Sequence, residues 1–91
     1  MNTGHYTLEA LVEITATPRQ VLTMYREHGL IVPQAAGEEE HFDDEALHQL
    51  RRLEFLRCEY GTNVTGLQAI CDLLRRVEAL QAEVRFLRAR R

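Results

Sequence analysis

The chain contains no lysine, so its positive charge rests on 11 arginines. It has no apolar run approaching the ~18 residues that a membrane-spanning helix requires. Its first residues, Met1-Asn2-Thr3-Gly4-His5, lack the basic and apolar segments of a secretory signal, so the expected location is cytoplasmic. Cysteine is scarce. Cys58 and Cys71 have neither CxxC spacing nor a histidine cluster beside them, and both are expected to be small buried hydrophobes. His5, His28, His41 and His48 fall in four separate segments, and none pairs at the i, i+4 spacing of a metal-binding helix face. No metal or cofactor is expected. No acid, base and nucleophile stand in a recognisable motif, and so short a helical chain leaves little room for a cleft. The chain is therefore not expected to be an enzyme.

What is present fits one folded domain: 91 residues, 45% hydrophobic and 27% charged. So short a chain buries only a modest core alone, and a second subunit would help it. The net charge of −3 hides a split. Residues 1–50 hold two arginines (Arg19, Arg26) against nine acids, −7; residues 51–91 hold nine arginines against five acids, +4. A nucleic-acid reader needs a basic face on the part that reads, and here the first half has the opposite sign.

Tyr6 to Ile14 reads as a short helix, with Thr7 as its N-cap and Leu8, Leu11 and Val12 as its apolar face. Thr17-Pro18 opens a second helix: threonine suits the cap, and proline suits the first helical position, where its missing N–H has no partner anyway. That helix runs to about His28 and stops at Gly29, the residue best able to take a left-handed C-cap. Two short helices joined by a tight turn suggest a helix-turn-helix. Leu30-Ile31-Val32-Pro33, then Gly37, three glutamates and His41-Phe42, read as a small β hairpin with a polar tip. Asp43 or Asp44 caps a third helix, about 44–60, with Leu47, Leu50, Leu53, Leu56 and Tyr60 as its stripe and Gly61 as its end. Asn63 caps the last helix.

Along that last helix Ile70, Leu73, Val77, Leu80, Val84 and Leu87 recur in steps of three and four. This is a heptad seam, β-branched at one position and leucine at the other. A 3.5-residue period is narrower than an ordinary core face, which favours a dimer seam over a helix folded back on the third one. A homodimer is therefore expected, with its orientation open.

The order of elements, with Tyr25-x-x-x-Gly29-Leu30-Ile31-x-Pro33 at its centre, resembles the MerR-type winged-helix family over nearly the whole chain. The family's stretch L-R-Y-Y-E-x-x-G-L-I-x-P stands here, without a gap, as Leu22-Thr23-Met24-Tyr25-Arg26-Glu27-His28-Gly29-Leu30-Ile31-Val32-Pro33. The resemblance implies a mainly α fold: a MerR-like winged helix-turn-helix head with a small β wing, then a helix and a C-terminal coiled-coil helix for dimerisation. The head with the third helix would span 1–61 and the dimerisation helix 62–91, within one compact domain. Two family features are missing. Thr23 stands where the family has an arginine that grips a phosphate, and the wing motif R-x-Y stands as Glu40-His41-Phe42. An acid in place of a wing arginine repels phosphate, and DNA binding is not expected.

Within this superfamily the chain resembles the CbpM-type chaperone modulators. The similarity lies in Phe42-Asp43-Asp44, the arginine-rich third helix, and Asn63-Val64-Thr65-Gly66-Leu67 leading into Leu73-Leu74-x-x-Val77-x-x-Leu80. That branch usually shows a tryptophan two residues before the phenylalanine, where this chain has Glu40. The resemblance implies a protein that binds and inhibits the J-domain of a DnaJ/CbpA-like co-chaperone. J-domains present a basic helix, which an acidic head could cover. The candidate partner-binding residues are Glu9, Glu13, Arg19, Arg26 and Glu27, and the candidate dimerisation residues are the six of the seam. Two alternatives stand beside this: a MerR-like DNA-binding transcriptional regulator, and a dimeric scaffold without a dedicated ligand. Four arginines near the C-terminus also allow a nucleic-acid tail, which the acidic head opposes.

Overall fold

A computed structural model describes residues 4–36 and 39–90. Its elements run α1 (Leu8–Thr15), α2 (Arg19–Glu27), β1 (Gln34–Ala36), β2 (Glu39–His41), α3 (Asp44–Tyr60) and α4 (Val64–Ala89). The protein is mainly helical, a helix-turn-helix head with a small wing.

Side-chain caps set the start of three helices. The Thr7 hydroxyl accepts from the Ala10 N–H at 3.0 Å, Asp43 from Ala46 at 3.0 Å, and Asn63 from Gly66 at 2.9 Å. Each satisfies one of the N–H groups that a helix start leaves without a partner. Helix α2 begins differently from the expectation. Pro18 itself is the cap residue, with no side-chain cap bond, and its carbonyl accepts from Val21 and Leu22. Thr17 does not cap. It is buried, its hydroxyl 2.8 Å from that of Thr15, which in turn lies 2.7 Å from the Leu11 carbonyl. The tight turn between α1 and α2 takes that hydroxyl inward. Tyr6, expected to start α1, instead pairs with Phe42 across a β-bridge, and this straps the N-terminal segment to the end of the wing.

The end of α2 follows the expectation. Gly29 has φ +73°, its N–H bonds to the Arg26 carbonyl, and the Leu30 N–H bonds to the Tyr25 carbonyl. This is the Schellman pattern, in which a left-handed residue lets the chain turn back over the helix end. It drops Leu30 and Ile31 into the core rather than into a strand. The hairpin therefore begins later than expected, at Gln34, and pairs antiparallel with Gln34 opposite His41 and Ala36 opposite Glu39. The expected polar tip at Gly37 and Glu38 lies outside the described residues.

The core joins every helix: Leu11 from α1, Leu22 and Tyr25 from α2, Leu50 and Leu53 from α3, Leu67 and Cys71 from α4, with Leu30, Ile31 and Phe42 between them. Burying each large side chain contributes roughly 1.5–3 kcal/mol. Two sequence expectations fail here. Tyr60, assigned to the α3 stripe, is 69% exposed, because it sits in the last turn before Gly61 redirects the chain. Cys58 is exposed while Cys71 is buried, since Cys58 lies on the outer side of α3. The histidines lie in separate segments, and the fold brings the rings of His5 and His41 to 4.7 Å across the Tyr6–Phe42 strap. Among the described residues no group of three or more His, Cys, Asp or Glu side chains could hold a metal ion.

Helix α4 packs on the head only through its first half. Gln68 donates to the His28 carbonyl at 3.2 Å, Gln49 lies 3.8 Å from the Cys71 sulfur, and Arg52 pairs with Glu78 at 3.3 Å. Beyond Glu78 the side chains to Arg90 are exposed. Leu73, Val77, Leu80, Val84 and Leu87 are 45 to 61% exposed, so in the single chain the seam does not fold back onto α3. Among the described residues no helix is long and apolar enough to cross a membrane.

Candidate functional site

Helix α2 is held from below and open above. Leu22 and Tyr25 point into the core, and Val21 packs against its edge. With 3.6 residues per turn, that anchoring turns Arg19, Thr23, Arg26 and Glu27 to the other side. Arg19, Glu27 and Met24 are exposed, and Thr23 and Arg26 are half-buried. Glu9 and Glu13, one turn apart on α1, are exposed as well.

Four of the five candidate partner-binding residues belong to this α2 side or pair with it. Arg19 reaches back to Glu9 on α1, Nη1 to Oε2 at 2.7 Å, with both side chains more than 60% exposed. Arg26 grips Glu40 on the wing through two parallel bonds: Nε donates to Oε1 at 2.8 Å and Nη2 donates to Oε2. Glu27 stands beside Arg26 and adds negative charge there. Glu13 is not brought into contact with the others, and among the described residues neither Glu13 nor Glu27 forms an ion pair. In the sequence Glu40 stands only as an acid in place of a wing arginine. The structure makes it the closest partner of Arg26. The separation of 14 residues follows no helical or strand period, and only the fold of the wing over α2 brings the two together.

The electrostatics follow these pairs. A hydrogen bond from its own backbone N–H and then the bond from Arg19 hold the Glu9 carboxyl below the usual carboxylate range. The bond from Arg26 does the same for Glu40, and Glu40 in return strengthens the protonation of Arg26. The carboxylates therefore stay charged at neutral pH, and both guanidiniums of the first 50 residues are closed by them.

A surface groove of about 430 Å3 runs between Gly29–Val32, the start of α3 and the first half of α4. Leu30, Ile31, Ala46, Cys71 and Leu74 line its floor, and Asp43, Glu45, Glu78, Arg52 and Arg75 its rim. Charges of both signs stand there.

Two comparisons with known proteins bear on this geometry. The protein-family model described as MerR HTH family regulatory protein matches residues 6–89. No curated protein matches the chain.

Proposed function

The chain belongs to the MerR HTH family of regulatory proteins, and from that premise we propose that it regulates by binding a protein, as a chaperone modulator that inhibits the J-domain of a DnaJ/CbpA-like co-chaperone. The observation that carries this reading is the charge state of the α2 face. Its two arginines are both paired with carboxylates, Thr23 offers no charge, and Glu27 adds an acid, while Glu13 stands exposed on the neighbouring α1. A phosphate backbone would meet net repulsion at such a face, whereas a basic protein helix would meet attraction. Inhibition then follows from masking: the head covers the basic surface that the co-chaperone presents to its chaperone.

Two copies would act together. The uncovered seam of α4 continues well past the head, and its apolar side chains lose their contact with water only against another helix. A homodimer would present two acidic heads.

The reading is tested by calorimetric titration against a J-domain at low and physiological salt. Saturable binding that weakens with salt, and weakens further in Glu13→Lys and Glu27→Lys, is expected. Rim charges act mainly on association rate and salt dependence. Absence of binding in either buffer, with the protein folded, would overturn it. The second reading, a DNA-binding transcriptional regulator, is favoured by family membership alone. It requires a duplex complex whose affinity falls steeply with salt.

A further inference from the structure

The three residues before the Thr7 cap, Gly4, His5 and Tyr6, are held against the end of the wing and the start of α3. We propose that His5 and His41 form an acid-sensitive clasp on this strap, closed while the rings are neutral and opened when both carry a proton.

The strap is tied at few points. Tyr6 and Phe42 exchange two backbone hydrogen bonds, each of 2.7 Å. Asp44 accepts from the Tyr6 hydroxyl at 2.8 Å and from the Gly4 N–H at 3.2 Å. Between these ties the His5 ring meets the His41 ring edge to face, with centroids 4.7 Å apart and planes at 66°. That geometry suits two neutral rings, the positive edge of one on the negative face of the other. Histidine is the side chain whose charge changes between about pH 5 and 8. Protonating both rings turns the contact into one between like charges.

The neighbouring groups do not offset this. Glu40 precedes His41 in β2, but successive strand residues point to opposite faces, and Glu40 is turned to Arg26 on α2. Asp43 is engaged as the α3 cap and as the acceptor of Gln34 at 3.0 Å. From α3, Asp44 lies within electrostatic reach of His5 and His48, and Arg51 within reach of the Tyr6 hydroxyl. The bonds from Tyr6 and then Gly4 hold the Asp44 carboxyl below the usual carboxylate range, so it stays charged throughout the histidine range. One carboxylate matches one imidazolium. A second imidazolium, beside Arg51 and a protonated His48, leaves an excess of positive charge that the open strap escapes. Opening therefore becomes more favourable as pH falls. A tie of two backbone bonds and one carboxylate is a local element that such repulsion can shift without unfolding the core. Release leaves the Phe42 N–H and carbonyl as an open edge on the wing.

The test is amide hydrogen exchange of Tyr6 and Phe42, followed by NMR on the isotope-labelled protein. Protection factors, corrected for the intrinsic pH dependence of exchange, are compared at about pH 7.5 and about pH 5.5, on either side of the ordinary histidine range. In the wild type, protection of both amides is expected to fall roughly tenfold on acidification, the order that two charges at this separation give across a partly solvated gap. Leu50 and Leu53, in the core of α3, are expected to keep their protection, which separates release of the strap from unfolding. Added salt is expected to shrink the fall. His5→Gln and His41→Gln each leave a single imidazolium that Asp44 matches, and both are expected to keep the strap protected at the lower pH. His5 is exposed, so its variant leaves the core intact even if His41→Gln disturbs the wing. Wild-type protection at Tyr6 and Phe42 that does not change between the two pH values would overturn the proposal. So would a fall in His5→Gln equal to that of the wild type, which would assign the effect to Asp44 or His48 instead of the ring pair.

Discussion

The Tyr25 hydroxyl donates a 2.6 Å hydrogen bond to the Glu54 carboxylate, which itself accepts from Arg57 Nη2 at 2.8 Å and Nε at 3.2 Å. This relay ties α2 to α3 across 29 residues of chain. Tyr25 is 1% exposed, and Glu54 lies at the edge of the core. Burial, and then the bond to Glu54, push the phenol well above its ordinary range. The bond from Arg57 leads in holding Glu54 below the carboxylate range.

The two ends of that bond differ in cost when removed. Tyr25→Phe leaves Glu54 with Arg57 and partial access to water, and is expected to cost about 1 kcal/mol. Glu54→Leu leaves a buried hydroxyl without its acceptor and is expected to cost about 2–3 kcal/mol. Urea midpoints of the two variants, at equal m-values, check the order. An equal or inverted order would show that the hydroxyl finds another partner.

The same carboxylate sets part of the acid response. Its pKa in the folded protein lies below its ordinary value of 4.5. The unfolded chain therefore takes up the proton first as pH falls, so the contribution is full above 4.5 and is lost as pH falls through the folded value. Glu54→Gln is expected to be less stable than wild type at neutral pH, with the gap narrowing as pH drops below that range. A gap independent of pH, in thermal melts across the acid limb, would exclude this role.

Two backbone positions are expected to respond with opposite sign. Gly29 is left-handed at φ +73°, and a Cβ there would meet open space, so Gly29→Ala probes backbone strain alone. It is expected to destabilise by about 1 kcal/mol. Ala16, between α1 and α2, holds φ +56° despite its side chain. Ala16→Gly relieves that strain and is expected to stabilise by up to about 1 kcal/mol after the entropy of glycine is counted. Chemical denaturation of both variants reads the signs directly.

The α4 seam gives a prediction about assembly. Leu80→Lys/Val84→Lys places two charges in it without touching the head core. Sedimentation equilibrium is expected to show twice the chain mass for wild type and the chain mass for the variant. Far-UV helicity is expected to fall as well, since an isolated segment of about 12 residues is marginal as a helix in water. A wild-type protein at monomer mass would refute the dimer.

In the core, Leu53→Ala is expected to cost about 3–5 kcal/mol. Against a total stability of about 5–15 kcal/mol, that would leave much of the protein unfolded at 37 °C. The temperature midpoint measures it.

Local chemistry was readable from the sequence. Thr7, Asp43 and Asn63 accept from the N–H three residues on, and Gly29 and Gly61 turn left-handed, because caps depend on neighbours within one turn. The helical period found Leu11, Leu50 and Leu53 for the same reason. The resemblance to the MerR-type family, carried by Tyr25 to Pro33, gave the fold that the family match over residues 6–89 supports. Tertiary structure alone decided the rest. It moved the wing strands past Leu30 and Ile31, turned Thr17 inward, left Cys58 and Tyr60 in water, and brought His5 to His41. It also joined Arg26 to Glu40 and Tyr25 to Glu54, pairs 14 and 29 residues apart. Periodicity carries no information at such separations. Which carboxylate meets which cation depends on how the wing and α3 pack against α2, and that packing exists only once the core has closed.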